Sequence, residues 1–220
     1  MTNRFGNIAS RIGWAVVVGA AFGFVEAAVV IYLRALVYPE GFRFPLRPFA
    51  PELITVEVVR EIATVLLLFG TAMLAGRNRW GRVGAFLLLF GVWDITYYMW
   101  LRLAINWPTS LLDWDILFLL PLPWIGPVIA PVLVACVMVG AGIWFMLSEE
   151  RTPSLRATLL TFVLSFVGTA ILLFSFMRDT EATLRSALPS PYAYSLLAAG
   201  IACYAGALLT IKRSHAPSPS

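Results

Sequence analysis

Six stretches of this chain, near 13–35, 53–75, 83–104, 125–147, 156–177 and 192–212, stay apolar for about the 20 residues that a helix needs to cross the hydrocarbon core of a bilayer. Hydrocarbon offers no water to the backbone, so a stretch buried there must satisfy its own N–H and C=O groups, and a helix does so within one segment. Composition agrees. Of 220 residues 60% are hydrophobic and only 13% charged, with a mean hydropathy of +0.84, which leaves too little polar surface for a water-soluble domain. The expected fold is an all-α, polytopic membrane helix bundle of six transmembrane helices.

The first stretch follows Arg4 and Arg11 and contains "GAA", as a secretory signal does. Its apolar run continues past Glu26 to Tyr32, beyond a signal core of about 7 to 15 residues, so a retained helix is expected. No long linker or internal repeat interrupts the chain. Residues 1–212 read as a single transmembrane domain and 213–220, with "SHAPSPS", as a disordered cytoplasmic tail.

Lys and Arg set the orientation. The N-terminus, "GRNRWGR" (76–82), the segment 149–156 and the tail hold nine of the sixteen, whereas the opposite loops hold Arg43, Arg47, Arg178 and Arg185. The expectation is a multi-pass protein of the cell membrane, the inner membrane of a bacterium, with both termini cytoplasmic. The net charge of +4 is then the positive-inside pattern, and nucleic acid is not an expected partner.

No cofactor is expected. The one histidine, His215, is in the tail and the one lysine, Lys212, is at a predicted helix end, which argues against a buried haem ligand or Schiff base. Cys136 and Cys203 sit among apolar neighbours and read as core residues.

Local signals refine the picture. A short loop makes the second and third helices antiparallel neighbours. Thr152 and Pro153 look like the N-cap and first residue of the fifth helix, and Pro131 is placed to kink the fourth. Small residues four apart, Gly19 with Gly23, Ser165 with Thr169 and Ala202 with Gly206, mark faces where helices can approach closely.

Two segments on the side opposite the termini are distinctive. "YPEGFRFPLRPFAPE" (38–52) should form an extended aromatic cover at the interface. "NWPTSLLDWDILFLLPLPW" (106–124) suggests a short helix from about Ser110 to Leu120, too short to span and therefore interfacial or re-entrant. Asp113 and Asp115 there form a D-x-D pair, but Ser110 with Asp113 has the spacing of a capping box, and a hard cation needs more oxygens than the pair supplies, so no metal site is expected.

Ionisable groups within the spans are confined to the first three: Glu26 and Arg34, then Glu57, Arg60 and Glu61, then Asp94 and Arg102. Residues three, four or seven apart share a helix face. Glu57, Arg60, Glu61 and Thr64 therefore form one stripe, Asp94, Tyr97, Tyr98 and Leu101 another, and Glu26 lies on the face of Gly19 and Gly23. A charge facing lipid at mid-membrane costs about 2.5–3.5 kcal/mol, so these groups must pair, meet water or lose their charge. Asp94 and Glu26 lie deepest and feel the strongest desolvation.

Two readings compete. In one, the charges form an interhelical ion-pair network beneath a belt of tyrosines and tryptophans. In the favoured one, the three helices converge on an outward-facing site for a lipidic or amphiphilic ligand. Asp94 would then give or take a proton with Glu26 and Glu61 tuning it, Glu57, Arg34, Arg60 and Arg102 would bind a polar or anionic head, and Trp93, Tyr97, Tyr98 and Trp100 would offer aromatic faces. The expected partners are membrane lipids, that small molecule and, alternatively, another membrane protein for which the chain is an accessory subunit. A proton-linked transporter is the third class.

Overall fold

The structure is a computed structural model that describes residues 2–42, 44–45, 50–119, 122–149, 155–181, 185 and 187–213, with the side chains of 2–7 and 213 outside the description. Five helices are long and apolar enough to cross a membrane. They are α1 (Thr2–Val37), α2 (Pro51–Ala75), α3 (Arg79–Ile105), α4 (Ile129–Ser148) and α5 (Leu159–Met177); a shorter apolar helix follows, α6 (Tyr194–Leu209). At 1.5 Å per residue the 16 residues of α6 reach only about 24 Å, so the sixth predicted span is shorter than a bilayer core.

Helix starts follow the capping chemistry nearest to each apolar run. Pro51 opens α2 at a position whose N–H needs no partner. Asn78 caps α3 by accepting from the Gly81 N–H at 2.9 Å, and Asn106 ends it in the left-handed conformation at φ 54°, which Asn tolerates better than most residues. The fifth helix begins later than expected. Its cap is Thr158, in a reciprocal box with Thr161; Thr152 and Pro153 lie outside the described residues. Pro131 falls in the first turn of α4, where its missing N–H interrupts no helical bond, so it is placed at a start and not at a mid-helix kink.

The short helix expected over 110–120 is replaced by a β-hairpin. β1 (Trp114–Phe118) pairs antiparallel with β2 (Trp124–Pro127), with Asp115 opposite Gly126 and a bulge between Ile116 and Phe118. Trp114, Ile116 and Phe118 alternate with Asp115 and Leu117, a period of two that suits a strand, and Pro123 at the turn excludes a continued helix. Asp113 caps the preceding turn, accepting from the Thr109 N–H at 2.7 Å, its hydroxyl at 2.8 Å and the Ser110 N–H at 3.1 Å. Burial, the largest single effect, pushes its carboxyl up, but these donors together with the nearby Arg102 charge outweigh it and hold the carboxyl below the ordinary value. A second antiparallel pair, β3 (Leu155–Arg156) with β4 (Lys212–Arg213), places Lys212 and Arg213 in a strand, where a helix end and the start of a loose tail had been expected.

Packing centres on α3, which lies against α1, α2 and α4, while α1 and α2 scarcely touch and α5 pairs with α6. Close approach rests on glycine. A Cβ on Gly19 would lie 3.0 Å from the Leu89 carbonyl oxygen, and one on Gly23 2.9 Å from that of Trp93, so this expected face does meet α3. A close approach between the backbones of α3 and α4 was not anticipated. A Cβ on Gly84 or Gly142 would sit 2.7 Å from the carbonyl oxygen of the other. The α5–α6 contact uses Gly168 and Gly200 and also two members of the expected faces, Gly206 against Leu164 and the Thr169 hydroxyl 2.6 Å from that of Tyr204, while Ala202 is exposed.

One end of the bundle is tied by Glu149. It accepts from Arg11 at 2.8 Å, from the Asn78 N–H at 2.9 Å and from the Arg77 N–H, joining α1, α4 and the α2–α3 loop. Above this knot the core is apolar, formed by Ala15, Leu68, Ala72, Ala85, Leu88, Leu89, Val92, Trp93 and Met146. The expected consequence is that Gly142→Ala, which forces α3 and α4 apart, lowers stability by about 1–3 kcal/mol. Gly140→Ala, with no atom near its new methyl group, should leave the unfolding midpoint in detergent close to wild type.

Candidate functional site

Glu26, Glu61 and Asp94 each lie ten or eleven residues from the hairpin end of their helix, which puts all three roughly 15–17 Å below that end. The stripes read from helical spacing therefore meet at one depth. Glu57, Glu61 and Thr64 are buried on α2, and Tyr97, Tyr98 and Leu101 on α3. Above them the three helices and the hairpin enclose a cavity of about 270 Å³.

Nine of the expected site residues line it: Glu26, Arg34, Glu57, Arg60, Glu61, Trp93, Asp94, Tyr97 and Tyr98. Arg60 bridges the gap between α1 and α2. It donates to Glu57 at 2.8 Å and to Glu26, so one guanidinium serves two carboxylates from different helices. Glu61 accepts from the Leu119 N–H at 3.1 and 3.0 Å, just past the hairpin bulge. The side chain thus satisfies a backbone donor where the strand ladder ends.

Two expected members stand elsewhere. Arg102 is exposed and donates to the carbonyl oxygens of Asn106 at 2.7 Å and Pro108 at 3.1 Å. It lies at the last turn of α3, where backbone carbonyls lack helical partners and attract a cation. Trp100 donates its indole N–H to the Ala20 carbonyl at 3.0 Å and packs edge-on against Phe24, tying α3 to α1 outside the cavity.

The roof contains the residue that the sequence analysis placed in another role. Asp115, 2% exposed, accepts from Arg34 at 2.9 Å and from its neighbour's Ile116 N–H at 2.9 Å, with the Tyr97 hydroxyl 3.4 Å away. Burial pushes its carboxyl above the ordinary value; the Arg34 guanidinium, the Ile116 N–H and the Tyr97 and Tyr98 hydroxyls oppose this without cancelling it. The guanidinium of Arg34 lies 4.2 Å from the Phe42 ring centroid and 3.7 Å from that of Trp107, a doubly stacked cation. Asp113 and Asp115 thus serve different partners, and among the described residues no group of three Asp, Glu, His or Cys is arranged to hold a metal ion.

What remains unspent defines the chemistry. Both guanidinium groups are engaged by carboxylates, although the buried Nη1 of Arg34 has no hydrogen-bond acceptor. Asp94 lines the cavity and accepts no hydrogen bond from a described residue. Trp93, 7% exposed, keeps its indole N–H without an acceptor. Phe42, Phe118, Tyr97 and Tyr98 complete an aromatic wall, and Val30, Leu33 and Ile54 an aliphatic one. The signal for Asp115 was available in the two-residue alternation of "WDILF", but its partner, 81 residues away, was not.

Removing one member of the roof pair should show how much it matters. Asp115→Asn leaves Arg34 buried without its counter-charge, at an expected cost of about 3–5 kcal/mol. The double variant Arg34→Met with Asp115→Leu should recover most of that, measured by denaturant unfolding in mixed micelles. No protein-family model, curated protein or solved structure matches this chain, so the role of the cavity has to come from its own residues.

Proposed function

We propose that this chain is an integral membrane protein whose cavity binds a lipidic or amphiphilic ligand, with Asp94 as the group that meets its polar head. The observation that carries the reading is Asp94 itself: a carboxyl at mid-membrane depth, without a protein donor, on the wall of a cavity that aromatic and aliphatic side chains otherwise line. A purely structural ion-pair network would leave no such group unpaired. The same carboxyl, able to give or take a proton, is the residue on which acid–base chemistry would rest, with Glu26 near it and Glu61 on the same cavity wall.

The shape of the bundle favours a site loaded from one side and from the bilayer. Because α1 and α2 are held apart across the face of α3 and joined chiefly by the Arg60 bridge, the aliphatic residues Val30, Leu33 and Ile54 stand where an acyl chain would pass. Orientation by the positive-inside rule turns this end away from the cytoplasm. A transporter is less well supported. Between the cavity floor and the Glu149 knot the described parts of α1 to α4 carry no ionisable side chain, and the space is filled by the apolar core, whereas a carrier needs polar groups along its path.

Mass spectrometry of small molecules that co-purify in mild detergent tests the proposal. Wild type should retain an amphiphile, and Asp94→Asn should reduce its occupancy by about tenfold or more, as expected for loss of a charge-assisted hydrogen bond. Arg102→Gln and Trp100→Phe, both outside the cavity, should leave it unchanged. Equal occupancy in Asp94→Asn and wild type would reject the assignment of Asp94.

A further inference from the structure

The cavity has more acid than its arginines can balance. Among the described residues Glu26, Glu57, Glu61, Asp94 and Asp115 line it with two arginines, Arg34 and Arg60, and Arg60 already serves two carboxylates while Arg34 serves a third. Among the described residues Glu61 has a backbone donor and the field of nearby Arg60 but no ion pair of its own, and Asp94 has neither donor nor ion pair. Uncompensated carboxylates at this depth are costly, so the arrangement is complementary to positive charge brought from outside.

The form of that charge follows from how the acids are spread. A hard metal ion needs several oxygens converging at about 2.3–2.6 Å, and no such convergence exists among the described residues. Instead the two carboxyls stand on different helices and line the same cavity as Trp93, Tyr97 and Tyr98. Carboxylates set around an aromatic wall suit an organic ammonium, which is bulky, diffuse in charge and attracted to ring faces. Trp93 adds a donor without an acceptor, which fits an ether, ester or hydroxyl oxygen beside the cationic centre.

Resting on the proposed amphiphile site, we infer that the ligand is a cationic amphiphile, with a protonated amine at Asp94 and its chain directed through the gap between α1 and α2. This replaces the anionic head expected from the arginines alone, because both guanidinium groups are neutralised within the protein.

Three probes with the same alkyl chain test it: dodecylamine, dodecanol and dodecanoate, titrated by native mass spectrometry against the full chain in a neutral detergent. Dodecylamine should bind at least about tenfold more tightly than the other two. Asp94→Asn should remove that preference while dodecanol binding persists, and Asp94→Glu should restore it. Glu52→Gln, at an exposed acid on the first turn of α2, should have no effect. Dodecanoate or dodecanol binding as tightly as dodecylamine would overturn the cationic assignment and leave the amphiphile site standing. An amine preference that survives both Asp94→Asn and Glu61→Gln would also overturn it, as adsorption elsewhere. Failure of all three probes to bind would instead remove the site on which the inference rests.

Discussion

The ion pair between Arg34 and Asp115 is the interaction on which the cavity depends. It joins the last turn of α1 to a hairpin 81 residues further along the chain, and that hairpin is the roof. Without it, a two-stranded ribbon would stand over three helix ends with its polar edge unpaired, an unstable arrangement at a membrane surface. The rings of Phe42 and Trp107 on the guanidinium recruit both adjoining loops to the same point. Burial raises the cost of separating the charges and so makes the roof position specific as well as stable.

Beneath this roof the bundle divides into two halves with different physics. Toward the Glu149 knot, helices approach through glycine, and the core is filled by leucine, alanine and methionine. Toward the hairpin, larger polar side chains hold α1 and α2 apart, and the space they leave is the cavity. The charged stripe on α2 meets α1 only through long side chains, above all Arg60. Close packing and an enclosed site are therefore two results of one sequence pattern: small residues at one depth and ionisable ones at another.

The cavity is acidic for a related reason. Each arginine in it is consumed in holding elements together, Arg60 across α1 and α2 and Arg34 across α1 and the hairpin. Structural duty thus occupies the charge of both arginines and leaves carboxyl groups on the cavity wall. A count of charges along the sequence gives near balance, four acids to three arginines, because it includes Arg102, which the fold sends to a helix end, and omits Asp115, which the fold brings in.

The sequence by itself determined that the chain is a bundle of apolar helices and that the ionisable groups of its spans are pooled at similar depth on the first three, but not that Trp100 and Arg102 stand outside the cavity. The first two are consequences of length, hydropathy and the 3.6-residue period, all local properties of a chain in lipid. Only the tertiary structure decided that 114–127 is a hairpin and that Asp115 closes the site. Those choices depend on partners far away in the chain: the same short apolar run can be helix or strand, and Arg34, Glu61 and the prolines around it select the strand by satisfying its charge and its free backbone donor. The position of Gly84 against Gly142 was likewise beyond local reading, since a glycine shows that a neighbour can come close but not which neighbour does.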